Sequence, residues 1–304
     1  MKAQWLIELG LFTDTEDRLI DAIKRSGREY KTLKYIPFDE DLIDRCNKLY
    51  HPDDCVIFYG SLNFGRKIMR GTKWVPGIYL KEKEYECTSY YPAFGINLLH
   101  NQYIMLPYGE LIRMKHHIFW DGTWYNGTHN VDKVFIRPNS GYKQFTGMVL
   151  DSDSYEEGVK LAGFYDVEPN LLCVASYAKD IKKEWRFVIV NQEAICGSLY
   201  RDWTIGPDTI IPGTTTRDLV LMNSKSVTEP CTDDKAFAFA NEMAKLYNPD
   251  TCWTIDIALT SEDRYKVIEI GCFSCAGMYG NDLDIIVNKV SEAAEKEWNE
   301  YNEA

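Results

Sequence analysis

Two acidic residues, Asp256 and Glu269, stand in short runs that alternate apolar and small residues: Thr254-Ile255-Asp256-Ile257-Ala258 and Val267-Ile268-Glu269-Ile270-Gly271. Such runs read as neighbouring strands of a hairpin, with successive side chains on opposite faces. If Ser261–Arg264 forms a four-residue loop, Thr260 faces Tyr265, Leu259 faces Lys266, and Asp256 faces Glu269. One face then holds Trp253, Ile255, Ile257, Ile268, Ile270 and Cys272, a core surface. The other sets the two carboxylates opposite each other on a floor of Thr254, Ala258, Val267 and Gly271. Like charges in that position repel. A cation between them removes the cost, and hard carboxylate oxygens suit Mg²⁺, which takes one or two carboxylates and completes its shell with substrate phosphates and water. Two solvated acids on an open sheet face are the alternative these residues leave standing.

Cations recur at positions that could answer a phosphate. Phe135-Ile136-Arg137-Pro138 ends a strand on Arg137, and a glycine-bounded loop, residues 139–147, holds Lys143. Backbone N–H groups of such a loop plus a lysine can cradle phosphates, although the Gly-Lys-Ser/Thr of a P-loop is missing. In Glu184-Trp185-Arg186-Phe187, Arg186 lies on the strand face opposite Trp185, Phe187 and Ile189. Arg201, on the next strand, can fall near Glu184 on the Arg186 face. A solvated turn and a surface ion pair are the plain alternatives.

The elements that must hold these groups fall into two patterns. Residues 5–9, 30–36, 55–60 and 77–80 read as strands, separated by helices beginning at 13–16 and spanning 62–69, an α/β alternation. Residues 81–130 are rich in tyrosine and broken by Pro92 and Pro107, with a helix expected at 109–117 and a boundary in the Gly- and Asn-rich stretch 121–130. Beyond it the order becomes α+β. A strand is expected at 133–138, a hairpin of 184–190 with 194–200 around residues 191–193, a helix at 233–246, the carboxylate hairpin, and a closing helix at 284–301. The domains expected are 1–125 and 126–304.

The chain has 304 residues with 34 basic and 46 acidic side chains, a net charge of −12, which disfavours nucleic acid as a partner. No apolar run reaches the roughly 18 residues of a membrane span, and the first residues read as a strand rather than a leader. Nine cysteines, an odd number without a secretion signal, read as reduced thiols in a cytoplasm. Cys272-Phe273-Ser274-Cys275 lacks the second pair that a structural zinc needs.

Taken in order, Ile136-Arg137-Pro138, the Lys143 loop, Glu184–Val190, Leu199-Tyr200-Arg201, Thr254–Ala258 and Val267–Gly271 resemble the ATP-grasp superfamily, specifically its R2K clade of bacteria and phages. The resemblance covers residues 130–283. It implies an ATP-grasp fold preceded by a Rossmann-like pre-ATP-grasp domain. It implies that Arg137 and Lys143 lie over the phosphates of ATP, and that the backbone around Cys173, Val174 and Ser176 meets the adenine. It further implies that Arg186 and Arg201 contact the transferred phosphate and that Asp256 and Glu269 hold Mg²⁺. Where many members carry Glu-x-Asn, this chain has Gly271, so a second metal ligand must come from elsewhere, with Asn281 and Asp282 as candidates. The activity implied is ATP-dependent joining of a carboxylate to an amine through an acyl phosphate, with a protein or peptide among the candidate substrates. An ATP-binding assembly factor without turnover is the alternative.

Overall fold

The computed structural model describes residues 1–119, 132–142, 144–163, 166–204 and 225–303, and of residues 13, 14, 225 and 226 the backbone only. The chain divides into two compact units, Met1–Lys81 with Ile181–Ala304, and Glu82–Asp180.

The first unit begins with a parallel sheet of β1 (Gln4–Glu8), β2 (Tyr30–Leu33) and β3 (Val56–Tyr59), in the order β2-β1-β3. Its helices are α1 (Thr13–Arg25), α2 (Leu42–Leu49) and α3 (Leu62–Gly71). The continuous apolar runs follow from burial on both sides. Trp5 and Ile7 pack with Leu19, Ala22 and Ile23 of α1, while Leu6 and Phe58 pack with Phe64 and Ile68 of α3. Residues 77–80 do not form the expected strand. They make only a bridge, Ile57 to Gly77, because Gly77 takes φ +68° and turns the chain out of extended conformation.

The same unit carries an antiparallel sheet in the order β10-β9-β8-β11-β12. Its strands are β8 (Ile181–Val190), β9 (Glu193–Asp202), β10 (Lys225–Pro230), β11 (Cys252–Thr260) and β12 (Tyr265–Cys272). Helix α7 (Asp234–Leu246) turns Ala236, Ala240, Met243 and Ala244 inward; Asp233 caps it by accepting from the N–H groups of Lys235 and Ala236 at 3.0 Å each. Helix α8 (Leu283–Glu303) buries Ile286, Val287 and Val290 in the core that holds Trp5 and Val188.

Two turns differ from expectation in ways that set register. Asn191 and Gln192 both take positive φ, 50° and 67°, so β8 and β9 join through a two-residue turn, the geometry that matches strand twist. In the carboxylate hairpin the loop is Ser261-Glu262-Asp263. Thr260 N–H donates to the Arg264 carbonyl at 2.9 Å and Asp263 takes φ +58°, a three-residue turn with a left-handed third position. Leu259 therefore faces Tyr265 and Ala258 faces Lys266, one step from the expected pairing. A register shift between Asp256 and Ile257 restores it. Ile257 faces Val267, Ile268 is the extra residue, and Asp256 faces Glu269. Val267 is consequently fully buried and Ile268 only partly, the reverse of the expected faces.

The second unit holds β4 (Tyr103–Pro107), β5 (Lys133–Pro138), β6 (Met148–Asp151) and β7 (Leu172–Tyr177) in the order β4-β7-β5-β6. Its helices are α4 (Cys87–Phe94), α5 (Lys115–Ile118) and α6 (Tyr155–Ala162). The helix expected at 109–117 reduces to a 3₁₀ turn, Tyr108–Glu110, and α5. Because β4 pairs with β7, residues 103–107 share a sheet with residues 133–177, and the expected division at 125/126 lies inside this unit. The expected boundary stretch at 121–130 lies outside the described residues.

Candidate active site

Strands β8, β11 and β12 bring three of the singled-out residues side by side. Asp256 has Arg186 as its Cα partner on one flank and Glu269 on the other. Arg186 reaches across the first pair in a two-point grip: Nε donates to Oδ1 at 2.8 Å and Nη2 to Oδ2 at 2.7 Å. Arg186 Nη1 donates to the Gly277 carbonyl at 3.1 Å. The two side chains are 12% and 4% exposed, so the pair is desolvated on both sides. Burial opposes the charge on Arg186, and the Asp256 carboxylate outweighs it, holding the guanidinium protonated.

A second acid supports this pair from below. Glu184, buried on β8, accepts the Tyr200 hydroxyl at 2.8 Å and Trp203 Nε1 at 2.6 Å. Tyr200 Oη lies 3.5 Å from Asp256 Oδ2, so one phenol spans two carboxyl groups. Burial pushes the Glu184 carboxyl up, against the pull of the two donors and of Arg201. Glu184 has Arg201 as its Cα partner on β9, as expected, and the Arg201 guanidinium stands over the Trp203 ring at 5.2 Å.

One participant has no counterpart in the sequence motifs. The ring of Tyr279, in the loop after β12, stacks on Tyr200 with centroids 4.8 Å apart and planes at 14°. The guanidinium carbon of Arg186 lies 5.0 Å from the Tyr279 centroid and 5.9 Å from that of Tyr200, within cation–π range. Burial raises the Tyr279 phenol. Arg186 and Arg201 act to lower it, and Asp256 and Glu269 to raise it further. Arg186 therefore meets a tyrosine that no alternation or spacing points to, because it lies in a loop at φ +48°.

Gly271 is not a vacant place for a missing asparagine. A Cβ there would lie 2.9 Å from Thr254 Oγ1, and the buried Thr254 hydroxyl donates to the Gly271 carbonyl at 3.2 Å. Asn281, a candidate substitute ligand, is buried with its amide nitrogen spent on the carbonyls of Met278, at 3.0 Å, and Arg186, at 3.3 Å.

The remaining singled-out residues belong to the second unit. Arg137, on β5, is buried and donates through Nη1 to the Tyr90 hydroxyl at 3.2 Å. Lys143 lies outside the described residues. Cys173, Val174 and Ser176 lie on β7, an interior strand: they pair with Leu106, Met105 and Tyr103 of β4 on one edge and with Pro138, Arg137 and Phe135 of β5 on the other. Both edges of this backbone are taken up by the ladders with β4 and β5. The buried Ser176 hydroxyl is 3.0 Å from His100 Nδ1, whose ring stacks on Phe135 at 4.1 Å.

The profile of the ATP-grasp domain, R2K clade family 2, matches residues 116–287, more than half of the chain. No curated protein sequence matches. Among solved structures, the chain is similar to D-alanine–D-alanine ligase from Bacillus anthracis, with TM-score 0.62 at 11% identity, over 99% of this chain and 100% of that one. It is similar to D-cycloserine synthetase DcsG, with TM-score 0.57 at 11% identity, over 96% of this chain and 99% of that one. It is also similar to the ATP-grasp ligase PsnB complexed with a phosphomimetic variant of minimal precursor, Mg and ADP, with TM-score 0.54 at 11% identity, over 97% and 98%. At that identity the likeness establishes the ATP-grasp fold. No helix among the described residues is long and apolar enough to cross a membrane.

Proposed function

We propose, from the premise that the chain belongs to the R2K clade of ATP-grasp domains, family 2, that it is an ATP- and Mg²⁺-dependent ligase joining a carboxylate to an amine. The observation that carries this reading is the cluster on β8, β9, β11 and β12. Two carboxylates, Asp256 and Glu269, are register partners, Arg186 grips the first of them, and Arg201 is the register partner of Glu184 on the neighbouring strand.

The donor set fits magnesium. Asp256 and Glu269 are both hard oxygen donors, the kind magnesium takes. Among the described residues no group of three or more His, Cys, Asp or Glu side chains could hold a metal. Magnesium draws most of its shell from phosphates and water. When bound, the ion neutralises charge on the phosphate oxygens. Asp256 and Glu269 would hold it, and Arg137 and Lys143 are the proposed cations over the nucleotide.

In the reaction proposed, a substrate carboxylate oxygen attacks the γ-phosphorus, ADP leaves, and an amine then displaces phosphate from the acyl phosphate. No side chain need act as a nucleophile. Arg186 and Arg201 place fixed positive charge where negative charge spreads over oxygens, which is most of what such a transfer asks of a protein. The PsnB complex contains a precursor, Mg and ADP. We carry a protein or peptide substrate and a cytoplasmic setting as part of this proposal.

A second reading is an ATP-binding assembly factor. The observation favouring it is Gly271, which offers no side chain at the position where many members carry an asparagine. The decisive measurement is release of ADP and phosphate from Mg·ATP across pools of amino acids and peptides. Release that depends on an added acceptor supports ligation; tight ATP binding without turnover supports the assembly factor. Lys143→Ala should abolish acceptor-dependent release with the fold kept. Asp256→Ala is a poorer control, because it strands a buried arginine and so weakens the fold as well.

A further inference from the structure

The loop after β12 is held from several sides. Arg186 Nη1 donates to the Gly277 carbonyl at 3.1 Å, and Ser198 Oγ on β9 accepts the Gly280 N–H at 3.0 Å. Asn281 Nδ2 ties the loop to the Arg186 carbonyl. Gly280 admits no side chain, since a Cβ would lie 2.7 Å from the backbone of Thr228. The remaining tie comes from the far end of the sequence. Arg18, on α1, donates through Nη1 to the Tyr279 carbonyl at 2.6 Å and through Nη2 to the Asn281 carbonyl at 3.2 Å. One of these carbonyls belongs to the residue whose ring stacks on Tyr200, the other to the residue whose amide reaches the Arg186 carbonyl.

We propose that Arg18 is a positioning residue. By bridging the carbonyls of Tyr279 and Asn281 it holds the loop so that the Tyr279 ring stays stacked on Tyr200 and over Arg186. Tyr279 then serves as the wall that fixes the Arg186 guanidinium against Asp256. A guanidinium is suited to this, because it offers forked donors to two acceptors at once and keeps its charge at every working pH. Tyr279 pays for its left-handed backbone conformation, so it needs surrounding ties to stay there. Arg18 is exposed and is not part of the core, so its replacement leaves a folded protein to measure. The consequence for nucleotide handling rests on the ligase reading; the loop restraint does not.

The test uses the full chain and three variants, Arg18→Ala, Arg18→Lys and Tyr279→Ala, plus the Arg18→Ala/Tyr279→Ala double variant. Hydrogen exchange in the peptide spanning residues 277–282 should speed up about tenfold in Arg18→Ala, the scale set by losing a charge-assisted hydrogen bond. Arg18→Lys, which reaches one carbonyl, should restore part of the protection. Mg·ATP affinity, measured by calorimetry, should weaken in Arg18→Ala and in Tyr279→Ala and no further in the double variant, since both remove one coupled arrangement. Unchanged exchange in Arg18→Ala, or additive losses in the double variant, overturns the proposal. If the wild-type chain binds no Mg·ATP, the ligase reading falls, and the exchange comparison with its lysine rescue decides the loop restraint alone.

Discussion

Arg186 and Asp256, register partners on β8 and β11, meet through two parallel hydrogen bonds of 2.8 and 2.7 Å. The pair is desolvated, so each partner is costly without the other. Arg186→Ala should destabilise the protein by about 3–5 kcal/mol by leaving a buried carboxylate uncompensated. Arg186→Met combined with Asp256→Leu should recover most of that loss while Mg·ATP binding stays abolished. Urea unfolding of the three proteins checks this. A double variant as unstable as the single would mean the destabilisation has another source.

Glu269 is partly exposed, and neutralising it relieves repulsion with Asp256 across the hairpin. Glu269→Gln should therefore shift stability by no more than about 1 kcal/mol. Its ATP affinity should lose its dependence on magnesium. Titrations with and without the metal separate the outcomes: a wild-type magnesium response in this variant removes Glu269 from the metal site.

Gly271→Asn restores the residue many family members carry and should nonetheless harm this chain. The new Cβ meets the Oγ1 of the buried Thr254 at 2.9 Å, an overpacking expected to cost about 1–3 kcal/mol. Adding Thr254→Ala should return the stability. Thermal unfolding of both variants distinguishes this local crowding from a general intolerance at the hairpin.

Asp250 supplies a pH dependence of stability. It is buried beside Glu297 and Lys81, and burial pushes its carboxyl up to about 6 from an ordinary 3.8, with Glu297 adding to the rise and Lys81 and the Thr251 N–H opposing it. Between those values the folded state holds a proton that the unfolded chain has released. The stabilisation is present below about pH 4 and is lost as pH rises to about 6, on the order of 3 kcal/mol over the window. Asp250→Asn can still accept the Thr251 N–H, which now donates to Oδ1 at 2.9 Å. Its stability relative to wild type should grow from pH 4.5 to pH 7, measured by urea unfolding at each pH. A difference that does not change with pH would show that Asp250 titrates normally.

The period-two patterns around Asp256 and Glu269 put both acids on neighbouring strands, their direct pairing resting also on a bulge, and the alternation of Trp185, Arg186 and Phe187 placed Arg186 opposite the core. These are local properties. Strand geometry is the same wherever it occurs, so residue types alone assign the faces. The bulge at Ile268 was not legible, because a three-residue turn and a four-residue turn suit Ser261–Arg264 equally well by composition; burial of Val267 beside Ile257 selects between them. The edges of β7 were equally hidden, since nothing in Cys173–Ser176 announces that β4, drawn from residues 103–107, will close its second side.

From its sequence alone, then, the chain determines which side chains carry charge, which strands carry them, and the family order in which they occur. Only the folded chain decides that Arg186 spends its charge on Asp256, that the Thr254 hydroxyl lies against Gly271, and that the Tyr279 carbonyl is met by an arginine from the first helix. Those are contacts between residues far apart in the chain. Their geometry comes from how sheets and loops pack, which no local spacing encodes.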